Sequence, residues 1–302
     1  MTPIISVQNL RKTYGKTIAV ADISFEVAEG EIFGLLGPNG AGKTTTVECL
    51  QALRNPDSGN ISILGLDPLH QAQELRRRVG SQLQESALPD RIKVWEALDL
   101  FASLAPNALD WRVLLEQWGL ADKRKAGFHS LSGGQKQRLF IALSLVNNPE
   151  IVFLDEMTAG LDPAARRVAW DLIRAIRDRG TTVVLVTHFM DEAENLCDRV
   201  AIVDRGKIVV SDTPRGLIAG HATEVRVIFS TDKPDLAFLD KVSGVKKITR
   251  RGGRVEVAGS GPLLALVAAA LVEHGIVPAD LRVEQPTLED VFLKVTGHAA
   301  AE

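Results

Sequence analysis

The sequence predicts an α/β fold built on a largely parallel sheet, followed by a small α+β domain. Three observations carry this expectation. Strand-like and helix-like apolar segments alternate through roughly the first 210 residues. Three strand-like runs, EIFGLL, IVFL and TTVVLVT, stop abruptly at glycine-rich or polar residues, as a site at the carboxyl edge of a parallel sheet requires. Near His221 the pattern restarts with TEVRVIFS, a second run of strand character without such an ending.

A length of 302 residues accommodates one large domain and one small one. The expected boundaries are 1–220 and 221–302, with a helical subdomain at about 67–145 inside the first. That inserted stretch is arginine-rich and amphipathic and carries Trp95, Trp111 and Trp118. The remainder after His221 reads strand, helix, hairpin, helix, strand, helix. Its hairpin turns at Arg251-Gly252-Gly253, one helix opens at Pro262, and a terminal helix follows the cap residue Thr287.

Composition narrows the classes of function. Lys and Arg number 35 against 38 Asp and Glu, with no block of like charge, which argues against a nucleic-acid partner. Cys49 and Cys197 lie far apart and outside any Cys-x-x-Cys spacing, so a disulfide framework or zinc site is not expected. The N-terminus lacks an apolar signal region, and the run Leu263 to Val272 falls short of the roughly 20 residues that span a bilayer. The expectation is a cytosolic chain that does not itself cross a membrane.

The first strand-to-helix transition holds Gly37, Pro38, Asn39, Gly40, Ala41, Gly42, Lys43 and Thr44, with Thr45 next. This is a phosphate-binding loop in its proper setting: glycines let backbone N–H groups and the helix N-terminus face phosphate oxygens. Lys43 reaches the β and γ phosphates and Thr44 ligates Mg²⁺. At the second transition stand Asp155 and Glu156, where one carboxylate can hold the metal and the next can orient or deprotonate an attacking water. Leu131, Ser132, Gly133, Gly134 and Gln135 precede a long amphipathic pattern. The S-x-x-Q spacing makes a capping box, but two consecutive glycines exceed what capping needs and bare the helix terminus for an anion.

In this order and spacing, the phosphate loop, LSGGQ, IVFLDE and His188 resemble the nucleotide-binding cassette of ATP-binding cassette (ABC) transporters. The ending PTLEDVFLKVTG is similar to that of drug- and polysaccharide-exporter ATPases, so the resemblance spans nearly the whole chain. It implies a P-loop NTPase (RecA-like) core with a β-subdomain and a helical insertion. It implies ATP and Mg²⁺ as cofactors, with Gly37 through Thr45 and an adenine-stacking Tyr14 holding the nucleotide. Lys43, Gln84, Glu156 and His188 are the catalytic set, and Thr44, Gln84 and Asp155 the metal set. Gln84 is preferred to Gln82 because VGSQLQE fits the family pattern only with the glutamine before Glu85 in that role. His188 corresponds to the switch histidine on the γ-phosphate. Asp162 matches a loop that crosses a dimer interface, and it equally suits a helix cap. Met157 departs from the family's usual proline.

The resemblance further implies head-to-tail pairing of two cassettes, the signature Leu131 to Gln135 of one facing ATP on the other. It also implies a separate transmembrane permease as partner, and a place on the cytoplasmic face of the membrane. The function expected is that of an ABC exporter ATPase subunit. A soluble ABC ATPase acting on ribosomes or DNA is the alternative, disfavoured by the single cassette and the absence of a basic stripe.

Overall fold

The computed structural model describes residues 3–82, 87–221 and 224–297. The chain divides into two compact units, Met1–Pro214 and Arg215–His298. The division falls in the first turn of a helix rather than at His221, because the strand-like restart that is visible in the sequence is preceded by a helix belonging to the second unit.

The first unit runs β1 (Ile5–Tyr14), β2 (Thr17–Val27), β3 (Ile32–Leu36), α1 (Lys43–Leu50), β4 (Ser58–Ile63), α2 (Ala72–Arg78) and β5 (Val79–Gln82). It continues through α3 (Val94–Leu104), α4 (Trp111–Gln117), α5 (Gly133–Leu145), β6 (Ile151–Asp155) and α6 (Pro163–Arg177). It closes with β7 (Thr182–Thr187), α7 (Met190–Leu196), β8 (Arg199–Asp204) and β9 (Lys207–Asp212). Among the described residues the strands form one sheet in the order β4-β1-β2-β9-β8-β3-β7-β6-β5. The β8-β3-β7-β6-β5 half is parallel, and β1, β2 and β4 pair antiparallel as a β-subdomain.

Burial on both faces explains the texture of the central strands. All residues of β3, β6 and β7 are buried, so these strands read as continuous apolar runs rather than alternating ones. On one face Phe33, Leu35, Phe153, Val184 and Val186 pack with Val47 and Leu50 of α1. That packing fixes α1, and with it the phosphate loop, against the ends of β3 and β6.

The expected helical stretch at 67–145 is interrupted by β5, which returns to the sheet edge and pairs parallel with β6. Four residues, two of them polar, are too short a run for periodicity to reveal. Beyond it the insertion is helical. Trp111 and Trp118 are buried, and the Trp111 indole donates to Asp99 at 2.9 Å.

The second unit holds α8 (Pro214–His221), β10 (Val225–Ser230), β11 (Val245–Arg251), β12 (Arg254–Gly259), α9 (Leu263–Glu273), β13 (Arg282–Glu284) and α10 (Leu288–Thr296). Its antiparallel sheet has the order β11-β12-β10-β13, and Val227, Phe229, Val255 and Val257 pack with Leu263, Val267 and Leu271 of α9. The apolar stripe of α9 is therefore core. Both cysteines are free and buried, and burial pushes the Cys49 thiol up to about 11.

Gly80 in β5 shows how tightly α5 lies on the sheet edge: a Cβ there would sit 1.9 Å from the Ser144 carbonyl oxygen. Backbone cannot yield as a side-chain tip can, so Gly80→Ala is expected to destabilise the chain by about 2 kcal/mol or more. Denaturant unfolding with the slope unchanged checks this.

Candidate functional site

The phosphate loop connects the buried strand β3 to α1, and close approach dictates two of its glycines. A Cβ on Gly37 would meet the Val203 carbonyl oxygen at 2.2 Å, and one on Gly42 would meet that of Ala19 at 2.3 Å. Gly42 also caps α1 at φ 103°, a conformation that disfavours side chains. Lys43 lies buried against this loop and donates to the carbonyls of Gly37 at 2.8 Å and Pro38 at 3.1 Å. Burial pulls its pKa down, while Glu156 and Asp155 push it up. A phosphate oxygen in the loop supplies a stronger, charge-assisted acceptor than either carbonyl.

Asp155 ends β6 beside Lys43. It is 3 % exposed, and burial first of all, reinforced by Glu156 and opposed by the Thr44 hydroxyl and Lys43, pushes its pKa up to about 6. Its Oδ1 is buried without a hydrogen-bond partner. A buried, unsatisfied carboxylate oxygen next to a threonine hydroxyl is the hard oxygen donor set that suits Mg²⁺, so these residues fit the ion.

Glu156 follows at φ 48°, a left-handed conformation that costs a glutamate about 1 kcal/mol. Its Oε1 lies 3.0 Å from His188 Nδ1, which projects from the end of β7, and its N–H donates to Val186 at 2.9 Å. Parallel pairing of β3, β7 and β6 thus brings Lys43, Asp155, Glu156 and His188 to one sheet edge. Tyr14 stands 40 % exposed at the end of β1, its ring flanked by Lys12 and Arg54 at 5.6 and 5.5 Å. Thr45 is half-buried in the first turn of α1. Gln84 lies outside the described residues. Gln82, its competitor, is buried at the end of β5 with Oε1 unpartnered.

The signature stands apart from these groups. Leu131 is buried, and Ser132 caps α5 in a full capping box: Gln135 N–H donates to Ser132 Oγ at 3.3 Å, and Ser132 N–H to Gln135 Oε1 at 3.0 Å. Asp162 caps α6, accepting from the N–H groups of Ala164 and Ala165 at 2.9 Å. Both termini border one cavity of about 360 Å³, lined by Ser132, Gly133, Gly134, Gly160, Leu161 and Asp162 among others, none from the phosphate loop.

A protein-family model described as ABC transporter matches residues 20–159. A Nod factor export ATP-binding protein I from Ralstonia nicotianae is 37 % identical over 98 % of this chain and 94 % of its own length. The chain belongs to the ABC transporter family. The daunorubicin resistance ATP-binding protein DrrA2 of Streptomyces coeruleorubidus is 35 % identical over 97 % of this ABC ATPase subunit and 95 % of that protein. Among solved structures, the ATP-binding subunit of an ABC transporter superposes with a TM-score of 0.66 at 26 % identity, covering 72 % of this chain and 92 % of that one. A dimeric cassette bound to ADP and Pi gives 0.64 at 25 %, covering 69 % and 98 %. The chain is an ATP-binding, ATP-hydrolysing subunit resembling the exporter type, and its described residues include no helix long and apolar enough to cross a membrane.

One acid near the site escaped sequence reasoning. Glu192 is fully buried four residues after His188, yet in sequence it is an ordinary acid in the first turn of a short helix.

The raised pKa of Asp155 has a definite sign for the nucleotide-free protein. A carboxyl that holds its proton more tightly folded than unfolded contributes stability below about pH 4 that is lost as pH rises through about 6. Asp155→Asn removes that loss, and its melting temperature at pH 8 without Mg²⁺ is expected to exceed the parent's, the gap closing below pH 4.

Proposed function

We propose that this chain powers export through a separate transmembrane permease, working as a pair of cassettes on the cytoplasmic face of the membrane. The observation that carries the reading is the convergence of Lys43, Asp155, Glu156 and His188 on one edge of the parallel sheet. Glu156 and His188 are 3.0 Å apart, and the Glu156 charge reaches Lys43 of the phosphate loop.

In hydrolysis, the backbone of Gly37 to Thr45 and the Lys43 ammonium hold the phosphates, and Tyr14 stacks on the base. Glu156 takes a proton from the attacking water as the water oxygen bonds to the γ-phosphorus and the bridge to ADP breaks. His188 keeps Glu156 in place and contacts the γ-phosphate. Thr44, Asp155 and Gln84 would hold Mg²⁺, which when bound neutralises charge on the phosphate oxygens. Glu156→Gln keeps the shape and loses the base. Turnover is expected to fall on the order of 10²-fold or more with ATP binding retained, and the trapped protein to recover a polytopic membrane protein from detergent extracts. Recovery with ribosomes or nucleic acid instead would refute the transport reading.

The signature glycines support pairing. Neither Gly133 nor Gly134 has positive φ, and a Cβ on Gly133 would meet nothing within 4 Å. Glycine at the first position of α5 is thus unexplained within the chain, where alanine would favour the helix by up to about 1 kcal/mol. A second copy's nucleotide approaching that bare terminus explains it. Gly133→Ala is expected to leave melting temperature equal or higher and ATP binding by the isolated chain unchanged, while lowering steady-state turnover about tenfold or more. Equal turnover would remove the argument for pairing through this helix.

Permease docking is supported by a cavity of about 460 Å³ that takes in Arg76 and Arg77 from α2, Ser81 from β5, and Phe101 and Leu104 from α3. Leu104 is 76 % exposed there, and β5, on its border, ends two residues before Gln84 in sequence. The second unit holds no ATP-site residue and is assigned an accessory role in steadying or regulating the pair.

A further inference from the structure

One face of the second unit's sheet concentrates positive charge. From Lys246 to Arg254 five of nine residues are cationic and none is acidic, a local run that the overall charge of −3 conceals. The pleat sorts this run onto two sides. Arg250 stands opposite Val255, on the side where α9 packs, and its guanidinium donates to the carbonyls of Thr231, Lys233 and Pro234 at 3.2, 2.7 and 3.2 Å. Lys246 pairs with Glu224 at 3.1 Å. Lys247, Thr249 and Arg251 face the other way, opposite Ala258, Glu256 and Arg254 of β12.

That second side frames a cavity of about 470 Å³ lined by Arg226, Lys247, Thr249, Arg251, Arg254 and Glu256, four cations to one acid. Only part of this charge is answered within the chain. Arg226 pairs with Asp290 at 3.1 Å and Arg254 loosely with Glu284 at 3.7 Å, whereas Lys247 and Arg251 form no ion pair among the described residues. Arg251 and Arg254 are also direct cross-strand partners flanking the Gly252-Gly253 turn, which sets like charges on side chains about 5 Å apart at Cβ and costs the hairpin stability. The turn does not need them, because Arg250 already ties it to the 231–234 loop. An anion seated between the two guanidinium groups replaces repulsion with attraction, and their planar forks match phosphate oxygens. The next pair on this side, Thr249 and Glu256, offers a hydroxyl and a carboxylate. That carboxylate repels a bare anion and favours a ligand that also carries hydroxyl donors. No aromatic side chain lines the cavity, so a single-stranded nucleic acid finds no stacking platform there.

We propose that this cavity binds the phosphate ester of a hydroxylated small molecule, with the phosphate between Arg251 and Arg254 and the hydroxyl groups on Glu256 and Thr249. The cavity belongs wholly to the second unit and shares no residue with the ATP site, so it stands or falls independently of the transport reading. Free phosphorylated polyols and glycerol-based lipid headgroups share this chemistry.

Equilibrium dialysis of the full chain against glycerol 3-phosphate tests the proposal. The parent is expected to bind the probe at millimolar concentration, and the double variant Arg251→Gln/Arg254→Gln about tenfold or more weakly. Lys43→Ala, which removes the cation of the phosphate loop, is expected to bind it within about twofold of the parent. Arg251→Gln alone is expected to melt at the parent's temperature or above, because the cross-strand repulsion goes, so lost binding is not lost folding. Glu256→Gln is expected to tighten inorganic phosphate more than glycerol 3-phosphate. Vesicle flotation identifies the source of the ester. Retention by phosphatidylglycerol but not phosphatidylcholine vesicles, abolished in the double variant, makes it a lipid headgroup; binding of the free ester without retention makes it a free phosphorylated polyol. Binding to neither the free ester nor the vesicles, binding undiminished in the double variant, or binding lost in Lys43→Ala would each overturn the proposal.

Discussion

Lys43 and Asp155 are both buried at the carboxyl edge of a parallel sheet, each feeling the other's charge, and the rest of the nucleotide unit is arranged around that fact. In an apolar interior neither charge is cheap: burial lowers the pKa of the lysine and raises that of the aspartate. The loop carbonyls of Gly37 and Pro38 satisfy the ammonium in part, and one oxygen of Asp155 stays unsatisfied. On the proposed reading, nucleotide and Mg²⁺ would relieve what the chain leaves incomplete. Binding energy would thereby be directed at the γ-phosphate end of ATP, where a change of charge during hydrolysis is felt most.

Much of this was readable without coordinates, because the site is made of strand ends. EIFGLL, IVFL and TTVVLVT announce strands buried on both faces, and each stops where residues assigned to the site begin. The capping roles of Ser132, Asp162 and Thr287 followed from local hydrogen-bond chemistry that depends on a few neighbouring residues only. The resemblance to ABC ATPases supplied what spacing could not, such as the role proposed for Tyr14, a partly exposed aromatic at the end of β1 with no intrinsic sign of it.

What stayed hidden depended on contacts between distant segments. β5 is four residues long and half polar, so only its pairing with β6 reveals it as a strand. The unit boundary falls inside a helix, whereas composition changes only at the following strand. Glu192 looks like any acid in a first helical turn until β7, α6 and the Glu156 turn close over it. Burial of an ionisable group is a property of the assembled fold, and no periodicity encodes it.

The capping box at Ser132 and Gln135 has a consequence for encounter between two copies. The box fixes Ser132 and Gln135 at the start of the signature helix, so on the pairing reading its conformation would not wait on the partner. Ordering a loose segment would cost about 1 to 2 kcal/mol for each residue fixed. A helix start settled in advance would leave that free energy in the complex, and the speed of the proposed pairing would then turn on diffusion and nucleotide occupancy rather than on local folding.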